Sequence, residues 1–504
     1  MLLILVLLLR FRVAIDVAGA VGLALTILLA LCRFDTAPSV VAQSVLAGAI
    51  GSLPVSLVLA AGIFQISVMA EMGAVARLAA LMKTLAPGRQ AVQVLLINVG
   101  FGILLTGLGA ATVAILPPIL LALGYSVSAA ILLPALGYVA LCMYALLGVP
   151  AVVLATFAGQ PVYETGLALA SFMPIISTCV AFATLYVTGG LRLVRRGLWP
   201  ALLTGLSSGF TAVVLARLGL VTVTAILAGL AVMLVLVLYV KCTGRPLHDP
   251  TLGTEADREA ERRLSLIRAC SPWLLLTFFS LLLNTPALPF FDLVFRQWSM
   301  PLDIIPGAPE RLRLFWQAYF WVIVCTLLCL PLLRATRRGM AAACRKSLHR
   351  AWRPFLATVI YFAIAYVMNH SGKQADWTLG APDNNMILVM AEAASNLFGT
   401  FYPAAAPFLG LLAGFVSGSA SSAVAMFTKL HMAAAEGIHV SGLLVATAGS
   451  VGGGLAGVIS PSKLFNAAAS IDRMDAATAV LRPAFTAGLA ITAVCALMAQ
   501  VWAY

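Results

Sequence analysis

Two short stretches place glycines and hydroxyls in the middle of apolar runs. They are residues 105–112, LTGLGAAT, and residues 416–423, VSGSASSA. Thr106, Gly107, Gly109 and Thr112 mark the first; Ser417, Gly418, Ser419, Ser421 and Ser422 mark the second. Each follows an apolar approach and precedes an apolar exit, so each reads as a break in a helix. Glycine lets the chain turn. Small neighbours let another backbone or a ligand come close, and hydroxyls supply donors and acceptors without net charge. A helix restarting at 419–422 aims its free N–H groups and the positive end of its dipole back at the break. That arrangement suits an anion. Close packing of small residues between helices is the competing reading of either stretch alone; two such stretches in corresponding places favour a site.

A third stretch belongs with them: TAGSVGGGLAGVISPSKLFNAAAS, 447–470. It contains Ser450, a glycine triplet at 452–454, Ser460, Pro461, Lys463 and Asn466. A glycine triplet followed by a proline is not expected in one straight helix. Lys463 either neutralises a bound carboxylate or extends to a membrane interface. Asn466, one turn on, could face the same way. Lys429, His431 and Glu164 are further ionisable residues in or near apolar segments, and such residues are functional candidates by default. Glu71 and Glu436 fall near expected span ends and read as interface groups.

Bond-making chemistry is not indicated. The chain has no HExxH, Walker A or strand-linked dinucleotide glycine pattern. No cofactor or metal motif is visible, and the nine cysteines include no CxxC pair and read as small buried hydrophobes. An enzyme is therefore not expected, and ATP-driven transport would need another subunit.

The elements that must hold these stretches follow from composition. Of 504 residues, 62% are hydrophobic and 10% charged, where a soluble domain carries about 25% charged residues. The expected fold class is an all-α polytopic membrane protein with about 11–14 membrane segments. The net charge of +13 is assigned to cytoplasmic loops rather than to nucleic-acid binding, since basic residues concentrate there. Arg192, Arg195 and Arg196, the segment Lys241 to Arg268, and the cluster Arg334 to Arg353 alternate with basic-poor loops at 286–313 and 371–383. The alternation places 190–197, 241–269 and 334–353 in the cytoplasm. The apolar start, MLLILVLLLRFR, reads as the tail of a first span rather than a signal peptide.

The mixed-charge run 249–263, DPTLGTEADREAERR, reads as an exposed short helix within a charged cytoplasmic linker, 241–269. It divides an N-terminal membrane half, 1–240, from a C-terminal half, 270–504. Shifting the sequence by 311 positions puts Gly107 on Gly418, Pro150 on Pro461 and Thr106 on Ser417. Weak internal symmetry of this kind is what transporter repeats leave in sequence.

Several segments resemble the bacterial L-lactate permease family. The run QVLLINVGFGILLTGLGAATVAILPPILLALGYSVSAA resembles the family's EGxAGFGxP region and its LLVGLGF helix. ALLGVP (145–150) resembles AxGIP, IRACSPWLLL (267–276) resembles RAWxPFL, and YVMNHSG (366–372) resembles xSNYSG. PFLGLLAGFVSGSASSAVAMF resembles PFLGWLGxFxTGSDTSSNxLF, and GLAGVISPSK resembles GxxGKMISPQ. The order persists along nearly the whole chain. The resemblance implies proton-coupled uptake of lactate and related 2-hydroxymonocarboxylates across the bacterial inner membrane. It also implies an ion-transporter-superfamily architecture: two inverted repeats, each with a re-entrant hairpin (near 92–123 and 403–435), and a transport domain moving against a scaffold, often in a homodimer. The partners implied are a small organic anion, protons and the lipid bilayer.

The departures bear on coupling. The family's acidic residue before the first glycine pair is Thr106 here, and its FG falls on Ala111 and Thr112. The Asp of TGSDTSSN is Ala420 and its Asn is Val424. The Lys of GKMISP falls on Gly457, the Gln of ISPQ on Ser462, and an Asn–Thr pair on Tyr138 and Val139. Two family carboxylates are thus absent, which puts proton coupling through those positions in question. The expected function is transport of a small organic anion. A transporter of another small anion with other or no coupling, and a non-transporting scaffold or receptor that keeps the fold, stand as alternatives.

Overall fold

The structure, a computed structural model, describes residues 14–110, 112–244, 246, 249, 253–284, 288–307, 309–476 and 478–504. The apolar start at 1–12 and Ala111 lie outside the described residues. Among these residues, eleven helices are long and apolar enough to cross a membrane. Lipid offers backbone groups no partner, so long apolar stretches close their hydrogen bonds within helices.

The first helices are α1 (Ile15–Cys32), α2 (Pro38–Gly51), α3 (Leu53–Glu71) and the short α4 (Ala74–Thr84). Next come α5 (Gln90–Gly107), α6 (Thr112–Ala122), α7 (Val127–Gly137) and α8 (Ala145–Ala158). Then follow α9 (Val162–Arg196), α10 (Leu198–Arg217), α11 (Thr224–Cys242), α12 (Glu255–Arg263) and α13 (Leu266–Asn284). The second half continues with α14 (Ala318–Leu328), α15 (Arg337–His370), α16 (Met386–Phe398), α17 (Tyr402–Ser417) and α18 (Ala420–Gly437). It closes with α19 (Gly442–Leu455), α20 (Pro461–Ala469) and α21 (Leu481–Ala503).

The bundle has two chemically distinct ends. One is basic: Arg195 and Arg196 finish α9, Lys241 finishes α11, and Arg337 and Arg338 begin α15. Here α12 is not a loose linker. A Thr254–Asp257 capping box starts it, and Lys83–Asp257 (2.7 Å) and Arg77–Glu261 (3.0 Å) pin it to α4. Glu71, at the end of α3, pairs with Lys346 of α15. The opposite end carries Gly372 N donating to Thr36 Oγ1 (2.9 Å) and Ala37 N donating to the Lys373 carbonyl (3.0 Å).

That far end also holds the departure from an all-α fold. Met300–Leu302 (β1) and Glu310–Leu312 (β2) pair antiparallel, with Met300 opposite Leu312. Three-residue strands are too short to leave a period-two signature in sequence. Tyr366 of α15 donates its hydroxyl to Glu310 of β2.

Two helix pairs double back. α5 starts at the basic end, where Arg89 Nη1 donates to Thr243 Oγ1 at 2.6 Å. α6 returns toward it, and Tyr125 Oη donates to Gln93 Oε1 at 3.3 Å. α17 and α18 turn at Ser417–Ser419, and their arms are joined where Tyr402 Oη and His431 Nδ1 lie 2.9 Å apart. After each pair runs an interrupted helix. α7 gives way to a 3-10 segment, Tyr138–Tyr144, before α8. α19 ends at Leu455, and α20 begins at Pro461.

The glycine triplet lies within α19, not at the break. The triplet and Pro461 fall in two separate helices, as expected. A Cβ on Gly452 would sit 2.0 Å from the Pro407 carbonyl oxygen, and one on Gly410 would sit 1.8 Å from that of Gly449. The glycines let α17 and α19 approach backbone to backbone, the usual means of helix association in lipid. The helix stops at Leu455, and α20 restarts at Pro461, whose missing N–H suits a helix start.

Candidate functional site

The first turn, between α5 and α6, bends at Gly109, whose φ of +86° favours glycine. Gly107 packs against α11, where a Cβ would meet the Ile226 nitrogen at 2.9 Å. Thr106 Oγ1 is buried and has no hydrogen-bond partner among the described residues. Thr112, at the restart, donates to the Pro134 carbonyl at 3.5 Å.

The second turn bends at Gly418, φ +68°. Ser417 Oγ lies 2.8 Å from the Ala413 carbonyl and 3.1 Å from that of Ser419. Ser419 is the N-cap of α18, its Oγ accepting from Ser422 N at 3.4 Å. Ser421 and Ser422 are buried in the first turn of α18, and Ser422 Oγ has no partner among the described residues. Both turns therefore hold a buried, unpartnered hydroxyl. Such atoms are rare in folded proteins and call for an explanation.

Each turn lies against the interruption of its own half. A Cβ on Gly109 would meet Leu146 Cδ2 at 3.6 Å; one on Gly418 would meet Ser462 Oγ at 3.0 Å and Ser460 Oγ at 3.7 Å. The two interruptions also meet each other. A Cβ on Gly457 would lie 2.3 Å from the Tyr138 hydroxyl, and one on Gly454 2.2 Å from Cys142 Sγ. Lys463 Nζ sits 5.3 Å from the centre of the Tyr138 ring, a cation–π contact. Ser460 and Ser462 share a hydrogen bond at 3.0 Å. In the first interruption, Leu146 and Leu147 have φ of 54° and 59°, followed by Gly148 at 74°. Left-handed leucines cost about 1–2 kcal/mol each. Strain of this kind concentrates at functional sites.

Two expected residues stand apart from this centre. Ser450 is buried in α19 and donates to the Ala446 carbonyl at 2.7 Å. Asn466 is exposed on α20, whereas Lys463 is half-buried. Glu164 is exposed in the first turn of α9.

A cavity that sequence reasoning did not assemble lies nearer the far end. It is an open cavity of about 720 Å³, lined by Asn369, Lys373, Asn385, Lys429, Glu436 and His439 among others. Lys429 had a sequence signal as a cation on an apolar helix. Lys373 had none, and Asn369 stood out only within YVMNHSG (366–372), because their approach to α18 is made by the tertiary fold. Asn385 fixes the intervening loop: its Oδ1 caps α16, and its Nδ2 donates to the Ser371 carbonyl at 2.9 Å.

The L-lactate permease of Streptococcus iniae is 24% identical over 440 residues, covering 86% of this chain and 88% of that one. The glycolate permease GlcA of Escherichia coli is 26% identical over 500 residues, covering 90% and 85%. A crystal structure of the YdaH transporter of Alcanivorax borkumensis aligns with a TM-score of 0.40 at 15% identity, over 91% of this chain and 87% of that one. The L-lactate permease family model matches residues 1–504. The chain is a multi-pass inner-membrane transporter, not an enzyme, and it belongs to the L-lactate permease family.

Proposed function

We propose that this chain is a secondary transporter of a small organic anion, L-lactate or a related 2-hydroxymonocarboxylate. The supporting observation is the pair of turns, each with an unpartnered buried hydroxyl and each set against a helix interruption of its own half. In this reading the turns are tips of re-entrant hairpins. Helix starts at Thr112 and Ser419 direct N–H groups toward the substrate carboxylate, with Lys463 as counter-charge at the crossing. The two halves are inverted repeats: the first pair opens toward the basic end, the second away from it. Pro150 and Pro461, 311 positions apart, each follow the interruption in their half. Alternating access moves the hairpin-bearing part against the remaining helices, in a protomer or a homodimer. The relatives' printed substrates, lactate and glycolate, share a carboxylate and a 2-hydroxyl.

A second reading has one observation in its favour. Neither tip carries a carboxylate; Thr106 and Ala420 stand where the family resemblance expects acids. Transport of an anion without proton coupling, or retention of the fold without transport, would follow from that loss. The test is Ser419→Ala, Ser422→Ala and Thr106→Val, alone and combined, in proteoliposomes. The proposal expects at least tenfold slower L-lactate counterflow for the combined variant with normal insertion. Unchanged counterflow would put the substrate elsewhere.

A further inference from the structure

Lys373 sits in the loop after α15, and Lys429 lies on α18, about 15 Å along that helix from its start at Ser419 by a rise of roughly 1.5 Å per residue. Both line the 720 Å³ cavity. Neither makes an ion pair with a described residue. The two ammoniums and the His370 ring lie within electrostatic reach of one another. The Lys373 ammonium has a cation–π neighbour, with its Nζ 5.3 Å from the Trp377 ring centre. Glu436 and His439 are the other ionisable groups on the wall. Like charges gathered without a bound counter-ion are unfavourable, and a site that collects them gains by taking up an anion.

A further group narrows the ligand. Asn369 lines the same cavity, and its Oδ1 is buried without a hydrogen-bond partner among the described residues. An anion with a neighbouring hydroxyl gives the lysines a carboxylate and the amide oxygen a donor. Phe157 and Leu388 supply apolar wall, which suits a short carbon chain.

We propose that this cavity is a capture site for a 2-hydroxymonocarboxylate, held by Lys373 and Lys429 through its carboxylate and by Asn369 through its hydroxyl. The inference rests on the transporter reading and adds a second station on the route to the hairpin tips. It sits at the far end of the bundle, so it loads substrate from the side opposite the basic loops. Its lysines act on affinity, not on the crossing step.

The experiment uses the purified full chain, with calorimetric binding and proteoliposome counterflow measured side by side. Probes are L-lactate, its hydroxyl-free analogue propionate, and inorganic phosphate. The double variant Lys373→Gln/Lys429→Gln should weaken L-lactate binding and raise the counterflow KM at least tenfold, with the maximal rate held within about twofold. Lys429→Arg should retain most of the affinity, which controls for folding. Asn369→Ala should reduce the preference for L-lactate over propionate to near one. Binding and KM unchanged in the lysine variants, with transport intact, would overturn the capture site and leave the transporter reading standing. Binding weakened in the variants of a chain that exchanges nothing would support the site and overturn the transporter reading. Phosphate bound more tightly than L-lactate would overturn the assignment of ligand class. No binding of any probe to the unaltered chain would overturn the site.

Discussion

Thr106 and Ser422 separate packing from function at the scale of single residues. A buried hydroxyl without a partner bears a desolvation cost, so an apolar substitute of similar size should be neutral or stabilising. Thr106→Val and Ser422→Ala are therefore expected to leave the melting temperature unchanged or raise it, while slowing anion exchange. A lowered melting temperature with unchanged exchange would assign both hydroxyls to packing. The glycines obey the opposite logic. Gly410→Ala places a methyl 1.8 Å from the Gly449 carbonyl oxygen, and overpacking of this kind costs about 1–3 kcal/mol. Thermal unfolding in detergent should show that loss. What sequence could read at this scale was position, not partnership. Ser417–Ser422 stood out as hydroxyls among leucines and alanines. The left-handed conformation of Leu146 and Leu147 had no such signal, because leucine announces nothing about φ.

At the scale of elements, helix ends decide the behaviour of the charged linker. Asp257 both closes the capping box of α12 and receives Lys83. Burial alone would raise its carboxyl pKa, but the hydrogen bonds from Lys83 and Thr254 outweigh burial and hold it below the ordinary carboxylate range. A lowered pKa in the folded chain means the contact stabilises at pH values above the ordinary Asp value, about 3.9. That stabilisation is lost as pH falls through the depressed value. α12 should therefore stay docked on α4 at neutral pH and release only in acid, read out as peptic cleavage within 253–264. Asp257→Asn should make the Arg262–Arg263 region faster to cut with trypsin at neutral pH. Equal cutting would mean the pair does not hold the helix. The mixed charges of this run predicted a helix correctly but not its docking, since Arg77 and Lys83 are distant in sequence. The glycine triplet and Pro461 were legible as parts of two helices rather than one. The contact with α17 that holds the triplet helical against its intrinsic propensity was not.

At the scale of the whole molecule, apolar run lengths and the alternation of basic loops were enough to indicate a helical membrane protein with two distinct ends. The small-residue stretches at 105–112 and 416–423 fall on the two turns, although the first bends at Gly109 and not at the matched Gly107. The far-end cavity was not legible, because it needs the loop after α15, the start of α16 and the middle of α18 to converge. The chain crosses itself where Tyr138, Cys142, Gly454, Gly457 and Lys463 meet. A protein built to move an anion past that crossing must exchange label when substrate is present on both sides. The most direct measurement is counterflow of labelled L-lactate into proteoliposomes preloaded with unlabelled L-lactate, repeated with glycolate. The account predicts transient accumulation of label that depends on internal substrate. Absence of exchange with either anion, in protein shown to be correctly inserted, would contradict it.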